Sequence, residues 1–517
     1  MITSRRLDKL QSSHVIPVTL NQLLQRQAAA LGGKVALSFE GDRRTYADLE
    51  HRSTLIANGL ISEGLVVGDR VAYLGKNSLD YFDFFFAAVK ARLVVVPVNW
   101  RLATPEVAYI LENAHPKFLL VEEMFAEVAA HAAPVIPRLI CGNDADPFGR
   151  WLNSNAPAMP PSAADWHEPV LQLYTSGTTG KPKGAVLTHR SLFGLRTEPE
   201  KLPEWYRWSS QDVSLIAMPV AHISGTGWGL WTLLHGATGI VAREFDPQAV
   251  FDQMVANHIN KVMMVPTAMQ IAARHPSAKT TDFSFLHYIY YGGSPLPSNL
   301  LRECAEVFHC GFVQMYGMTE TSGTIVALAP EDHEAGGARL YSVGKALPGV
   351  EIKIVDEAGG EAPAGVTGEI AIRGCCNMAE YFEMPEATAL AVDSEGWLRS
   401  GDAGYLDDQG FLYVRDRVKD MIISGGENIY PAEVENAIHG HPAVADVAVV
   451  GVPDEKWGEA VKAFVVLKPG FTVEATDIRA FAAERIARFK LPKIVAFVDV
   501  LPRNHSGKLL RRQLRGQ

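Results

Sequence analysis

Between Lys34 and Val98 short β-branched runs alternate with amphipathic helical stretches, a rhythm that folds into a mostly parallel sheet covered by helices. Lys34 to Phe39 reads as a strand closing in a Glu40-Gly41-Asp42 turn. Thr45 then caps a helix with apolar positions at Leu49, Leu55, Ile56 and Leu60. Val71 to Leu74, a helix around Tyr81 to Lys90, and Leu93 to Val98 repeat the unit. The most apolar stretch, Leu215 to Val241, is interrupted by Pro219, His222, His235 and several glycines, which suits a buried strand, loop and helix rather than a membrane span. After about residue 340 the runs shorten, as in Glu351 to Val355, Glu369 to Arg373 and Phe411 to Val414. From Lys419 onward a helix at Pro431 to His439 and strands at Val444 to Val450 and Ala463 to Leu467 mark a small separate domain. The expected class is α/β: a large N-terminal domain of β-α-β units over residues 1–418 and a small α+β domain over 419–517.

With 517 residues, 47% hydrophobic and 21% charged, the chain has about three domains' worth of core. Its net charge of −10 leaves no surplus of lysine and arginine for a phosphodiester backbone, so no nucleic-acid partner is expected. The five cysteines are odd in number and lack CxxC spacing, which speaks against a disulfide framework or a zinc site and for a reducing cytoplasm. No apolar run follows the charged start MITSRRLDKLQSSH, so it does not read as a secretory leader. Arg5, Arg6 and Lys9 read as a solvated basic tail, with weak peripheral membrane contact left open.

Tyr174 to Gly184 read YTSGTTGKPKG, glycines, hydroxyls and lysines suited to a triphosphate. A Walker A loop needs GxxxxGK followed by Ser or Thr, whereas Gly177-Thr178-Thr179-Gly180-Lys181 is too short and runs into Pro182. Phosphate binding still follows from the composition. Gly177, Gly180 and Gly184 admit backbone N–H groups close to an anion, Thr175, Ser176, Thr178 and Thr179 offer hydroxyls, and Lys181 and Lys183 add charge.

This loop resembles the phosphate loop of the acyl-adenylate-forming (ANL) superfamily, and further motifs extend the resemblance along the chain. They are YGGSPL at 291–296, QMYGMTET at 314–321, WLRSGDAGY ending at Tyr405, RDRVKDMIISGGENIYP beginning at Arg415, and PRNHSGKLLR near the C-terminus. The run DRVKDMIISGGENIYPAEVE, with the later VPDEKWGE, looks most like bacterial fatty-acyl-CoA synthetases. The resemblance implies a distorted β-barrel within the large domain and a mobile C-terminal domain.

Gly293 and Ser294 would border adenine; Gln314, Met315, Tyr316 and Gly317 would line the nucleotide, with Tyr316 stacked on the base. Thr319 would offer a hydroxyl and Glu320 would help hold Mg²⁺. Asp402 matches the ribose-binding aspartate, and Arg417 an arginine at the same nucleotide. Lys508 matches the adenylation lysine, Lys419 the hinge, and Gly425-Gly426 a strand lining the thiol tunnel. The implied co-reactants are ATP, Mg²⁺ and CoA, and a homodimer is left open.

The physical chemistry agrees with these roles. A carboxylate meeting an anionic α-phosphate needs a cation between them, which a lysine supplies. The acid is already ionised at neutral pH, so alignment and charge neutralisation replace a general base. His222, Ser224 and Trp228 in PVAHISGTGWGLW, with Gly317 of QMYGMTET, are the expected acyl-pocket residues, and Gly225, Gly227 and Gly229 could leave length for a chain. No Lys, Arg or Asp lies between Val220 and Leu233, so the pocket is expected to be apolar. A medium- or long-chain fatty acid is the leading substrate. An aryl-acid CoA ligase, an enzyme loading a carrier protein, and an inactive acyl or nucleotide sensor are the alternatives.

Overall fold

The computed structural model describes residues 18–142, 147–156, 164–175, 181–196, 199–294, 296–356, 358–417, 420–424, 427–454, 457–503 and 509–515. Local signals set the first elements. Thr45 accepts the Asp48 N–H at 3.1 Å while the Asp48 carboxylate accepts the Thr45 N–H at 2.9 Å, closing a capping box on helix Tyr46–Ser62. Ser78 accepts the Tyr81 N–H in the same way, so the next helix begins at Leu79 rather than at Tyr81. That helix, Leu79–Lys90, is buried along its whole length, including Phe82, Phe84, Phe85 and Phe86.

Two large sheets form the N-terminal part. In the nine-stranded sheet, strands Gly311–Met318, Tyr288–Gly292, Lys261–Met264, Val213–Ile216, Thr238–Val241 and Val35–Phe39 run parallel. Antiparallel strands close both of its edges. The seven-stranded sheet is parallel from Pro169–Thr175 through Val94–Val98, Arg70–Leu74 and Phe118–Glu122 to Arg138–Cys141. Its other edge is antiparallel, with Lys183–Thr188 and then the short strand Glu380–Tyr381. The stretch from Leu215 to Val241 holds one strand more than expected, because Gly236 at φ 76° turns the chain after helix Ile223–Leu234 into Thr238–Val241.

Strands Val350–Val355, Gly368–Gly374, Leu398–Leu406 and Leu412–Arg417 make a four-stranded antiparallel sheet, and the fold as a whole is mixed α/β with several sheets and a half-barrel. The C-terminal segment has its own sheet, with Val444–Asp454 and Gly458–Leu467 as its long hairpin and helix Pro431–His439 packed on it. No described helix is long and apolar enough to cross a membrane.

Candidate active site

The ends of two hairpin strands, the Thr319–Thr321 turn and a distant edge strand converge on Glu320. Thr175 ends one strand and Lys183 begins the next; Ser176, Gly177, Thr178, Thr179 and Gly180 between them lie outside the described residues. Thr319–Thr321 is a single 3₁₀ turn, fixed by the Thr321 hydroxyl, which accepts the Met318 N–H at 3.0 Å. That turn buries Glu320 to 6% exposure. Its Oε1 accepts the Thr175 hydroxyl at 3.3 Å and the Tyr381 hydroxyl at 2.8 Å, and its backbone carbonyl accepts the Met378 N–H at 2.7 Å. The Lys183 ammonium lies 4.9 Å over the Tyr381 ring. Tyr381 was not among the expected site residues; strand pairing brings it here from about 200 positions downstream of the loop, a separation no local motif signals.

Among the described residues no group of three or more His, Cys, Asp or Glu side chains gathers. A lone carboxylate among hydroxyls suits magnesium, which keeps several waters and shares its shell with substrate phosphates. Glu320 is the residue that would hold it, and the bound ion would neutralise charge on the triphosphate.

Tyr316 and Asp402, distant in sequence, meet directly: the Tyr316 hydroxyl donates to Asp402 Oδ2 at 2.7 Å. Asp402 is 8% exposed and its backbone N–H is held by the Ser400 hydroxyl at 3.0 Å. Arg417 stands opposite Asp402 in the strand register, while its side chain lies outside the described part. Gln314 shares a strand with Tyr316 two residues away and reaches the Tyr291 hydroxyl at 3.4 Å. The same hydroxyl reaches His333 Nε2 at 2.8 Å, and His333 Nδ1 donates to the Ala329 carbonyl at 2.7 Å, which leaves Nε2 as an acceptor. Burial holds His333 below its ordinary pKa, so the ring is neutral near pH 7. Gly293, at φ 85°, and Ser294 are exposed at the end of the neighbouring strand.

Some expected site residues take other places. Met315 is buried in the core, its sulfur accepting the Thr324 hydroxyl at 3.2 Å. Gly317 answers to backbone packing, because an added Cβ would lie 1.9 Å from the Gly323 carbonyl oxygen. Trp228, expected to line the acyl pocket, is a core residue at 3% exposure. Its Nε1 donates to the Leu215 carbonyl at 3.1 Å, and its ring packs against Trp208, Trp231 and Tyr290. Gly225 and Gly229 leave no room either. Their Cβ positions would lie 2.1 Å from the Pro219 oxygen and 2.5 Å from the Phe82 ring.

Gly227 is the glycine of that string that borders a cavity, its Cβ position 3.3 Å from the Ile223 Cδ1. It lines a small, partly open cavity, with room for about one water molecule, alongside Leu20, Leu192, Phe193, Leu230, Trp231, Leu234 and Ser322. The cavity lies beside the Thr319–Thr321 turn, since Ser322 directly follows it and an added Cβ on Gly323 would sit 3.6 Å from Ile223. His222 caps helix Ile223–Leu234 and meets Asn99 Nδ2 at 3.3 Å, and Ser224 is half-buried in the first turn. Lys419, Gly425, Gly426 and Lys508 lie outside the described residues.

The AMP-binding enzyme family model matches residues 24–382, and the model of the AMP-binding enzyme C-terminal domain matches 433–508. The chain belongs to the AMP-binding enzyme family, within the ANL superfamily. It is 42% identical to a fatty acid–[acyl-carrier-protein] ligase of Streptomyces coeruleorubidus, over 93% of this chain and 92% of that one. With a feruloyl-CoA synthase of an Amycolatopsis species it shares 38% identity, over 95% and 97% of the two chains. The ATP-bound crystal structure of MatB from Rhodopseudomonas palustris superimposes with a TM-score of 0.88 at 32% identity, covering 96% and 99%. This ANL chain is therefore an AMP-forming acid–thiol ligase, with ATP, Mg²⁺ and CoA as the co-reactants of its class.

Proposed function

We propose that this ligase activates a medium- or long-chain fatty acid as acyl-AMP, releasing pyrophosphate, and then passes the acyl group to the thiol of CoA. The observation that carries the apolar acid is the cavity beside the catalytic turn, lined by leucines, Phe193 and Trp231 with Ser322 as its polar member. An amino-acid substrate would need a charged partner for its ammonium group, and this lining offers none.

In this reading the substrate carboxylate, ionised at neutral pH, attacks the α-phosphorus while the chain's residues hold geometry and charge. Thr175, Lys183 and the residues 176–180 bind the phosphates, Glu320 is the magnesium carboxylate, and Thr319 offers a hydroxyl to the phosphate. Tyr316 meets the adenine, with Gly293, Ser294 and Gln314 at its edge; Asp402 takes the ribose hydroxyls, its carboxylate already oriented by Tyr316. Arg417 contacts the same nucleotide and Lys508 bridges carboxylate and α-phosphate. For the second step we assign residues 1–418 and 419–517 as the two moving bodies, with Lys419 as hinge and Gly425-Gly426 beside the incoming pantetheine. A thiol of pKa about 8.5 then attacks the acyl carbon and AMP leaves.

The carrier-protein ligase at 42% identity supports a second reading, in which the accepting thiol is a carrier protein's phosphopantetheine. Both readings are tested by following acid-dependent pyrophosphate release and then offering CoA or a phosphopantetheinylated carrier protein. Thioester on CoA supports the first reading; thioester on the carrier alone replaces it with the second. Faster activation of ferulate than of any fatty acid would overturn the acyl assignment.

A further inference from the structure

We infer that Tyr381 is a positioning residue that keeps the Glu320 carboxylate and the Lys183 ammonium apart, leaving both open to a magnesium triphosphate. The inference rests on the reading of Glu320 as the magnesium carboxylate. Tyr381 sits on strand Glu380–Tyr381, paired with Ala185 and Val186 on the strand that leaves the phosphate loop. Backbone bonds from Ala379 N to the Val186 oxygen at 2.9 Å and from Phe382 N to the Gly184 oxygen at 2.8 Å lock that pairing on both sides. The tyrosine is 9% exposed, so its ring has little freedom to leave.

Its two ends do different things. At the edge of the ring the hydroxyl donates to Glu320 Oε1 at 2.8 Å, and on the face the Lys183 ammonium sits 4.9 Å from the centroid. A lysine and a glutamate at a phosphate site would ordinarily neutralise each other, since opposite charges in a partly buried setting attract strongly. Here each charge meets the tyrosine instead. The ring faces the cation with its negative quadrupole and the hydroxyl satisfies one carboxylate oxygen. Thr175 donates to that same oxygen, so both hydroxyls gather on Oε1 and Oε2 is the oxygen left for a cation.

The test measures ATP binding by calorimetry across magnesium concentrations, with no acid present to be adenylated. It uses the full chain as wild type, Tyr381→Phe, Tyr381→Leu and Glu320→Gln. Tyr381→Phe keeps the ring and loses the charged-group hydrogen bond, so half-saturating magnesium should rise at least about fivefold with the melting temperature nearly unchanged. Tyr381→Leu removes the spacer as well; Lys183 closes on Glu320, and ATP binding should stay weak even at saturating magnesium. A wild-type magnesium dependence in Tyr381→Phe, beside a shifted one in Glu320→Gln, would overturn the positioning role while sparing Glu320. An unshifted Glu320→Gln would overturn the reading of Glu320 and this inference with it. Identical behaviour of the Phe and Leu variants would overturn the spacer role of the ring.

Discussion

Replacing Gly227 with alanine puts one methyl group into the cavity beside the catalytic turn and should shorten the acids the enzyme accepts. The new Cβ would lie 3.3 Å from Ile223 Cδ1, the far end of a flexible side chain, and meets no backbone. Helix propensity favours the change, since glycine inside a helix costs about 1 kcal/mol relative to alanine. The fold is therefore not at risk, and the effect falls on the cavity. That cavity holds about one water molecule, roughly the room a methyl group takes. Losing the site of one methylene removes about 0.8 kcal/mol of apolar burial, a factor of about four. Where the pocket cannot widen, one methylene is worth about 1–3 kcal/mol, or roughly 10–200-fold. Acids long enough to reach the cavity should thus lose about tenfold or more in kcat/KM, and shorter acids should stay within about twofold. The assay is acid-dependent pyrophosphate release over a straight-chain series, beside a thermal melt. Gly225→Ala is the contrast: its Cβ would lie 2.1 Å from the Pro219 oxygen, so it should lower the melting temperature and activity toward every acid alike. An unchanged chain-length profile in a stable Gly227→Ala variant would refute the placement of the acyl chain.

Trp228→Ala should cost about 3–5 kcal/mol, the range for deleting a large buried aromatic side chain, and leave the ranking of acids as it was; a melt and the same series check this. His189 accepts the Leu20 N–H at 3.1 Å, and burial lowers its pKa from 6.5 to about 4. Between those values the unfolded chain binds a proton that the folded chain refuses. His189's contribution is therefore complete above about pH 6.5 and lost as pH falls toward 4, about 3 kcal/mol in all. Denaturation at stepped pH should lose that part of the acid slope in His189→Gln. Lys508→Ala should abolish acyl-AMP formation yet keep thioester formation from supplied acyl-AMP, and near-normal adenylation would remove Lys508 from the site.

Wherever the signal was local, the fold was legible in the chain. Thr45 caps its helix through a contact three residues away, Pro431 opens its helix at the first position where its fixed φ fits, and the alternation from Lys34 to Val98 reports the parallel sheet because each strand carries its own burial pattern. Tyr316 and Asp402 were expected at one nucleotide, and the structure brings them into contact through a hydrogen bond that the sequence did not signal. What failed was inference from composition to direction. Three glycines in one helix looked alike, yet Gly225 packs on backbone, Gly229 packs on Phe82 and Gly227 faces the cavity. Trp228 and Trp231 are three positions apart in the same helix, and only their tertiary neighbours decide which ring reaches the cavity. Tyr381 was invisible for the same reason, since its role comes from an edge strand laid against the phosphate-loop hairpin.

In the proposed reaction an apolar aliphatic acid is activated by adenylation before any thiol is involved. Acid-dependent exchange of labelled pyrophosphate into ATP, with CoA and carrier protein omitted, tests both parts at once. Exchange should be strong with medium- and long-chain fatty acids, weak with ferulate and absent without acid. Exchange that requires a thiol, or that is fastest with aryl acids, would contradict it.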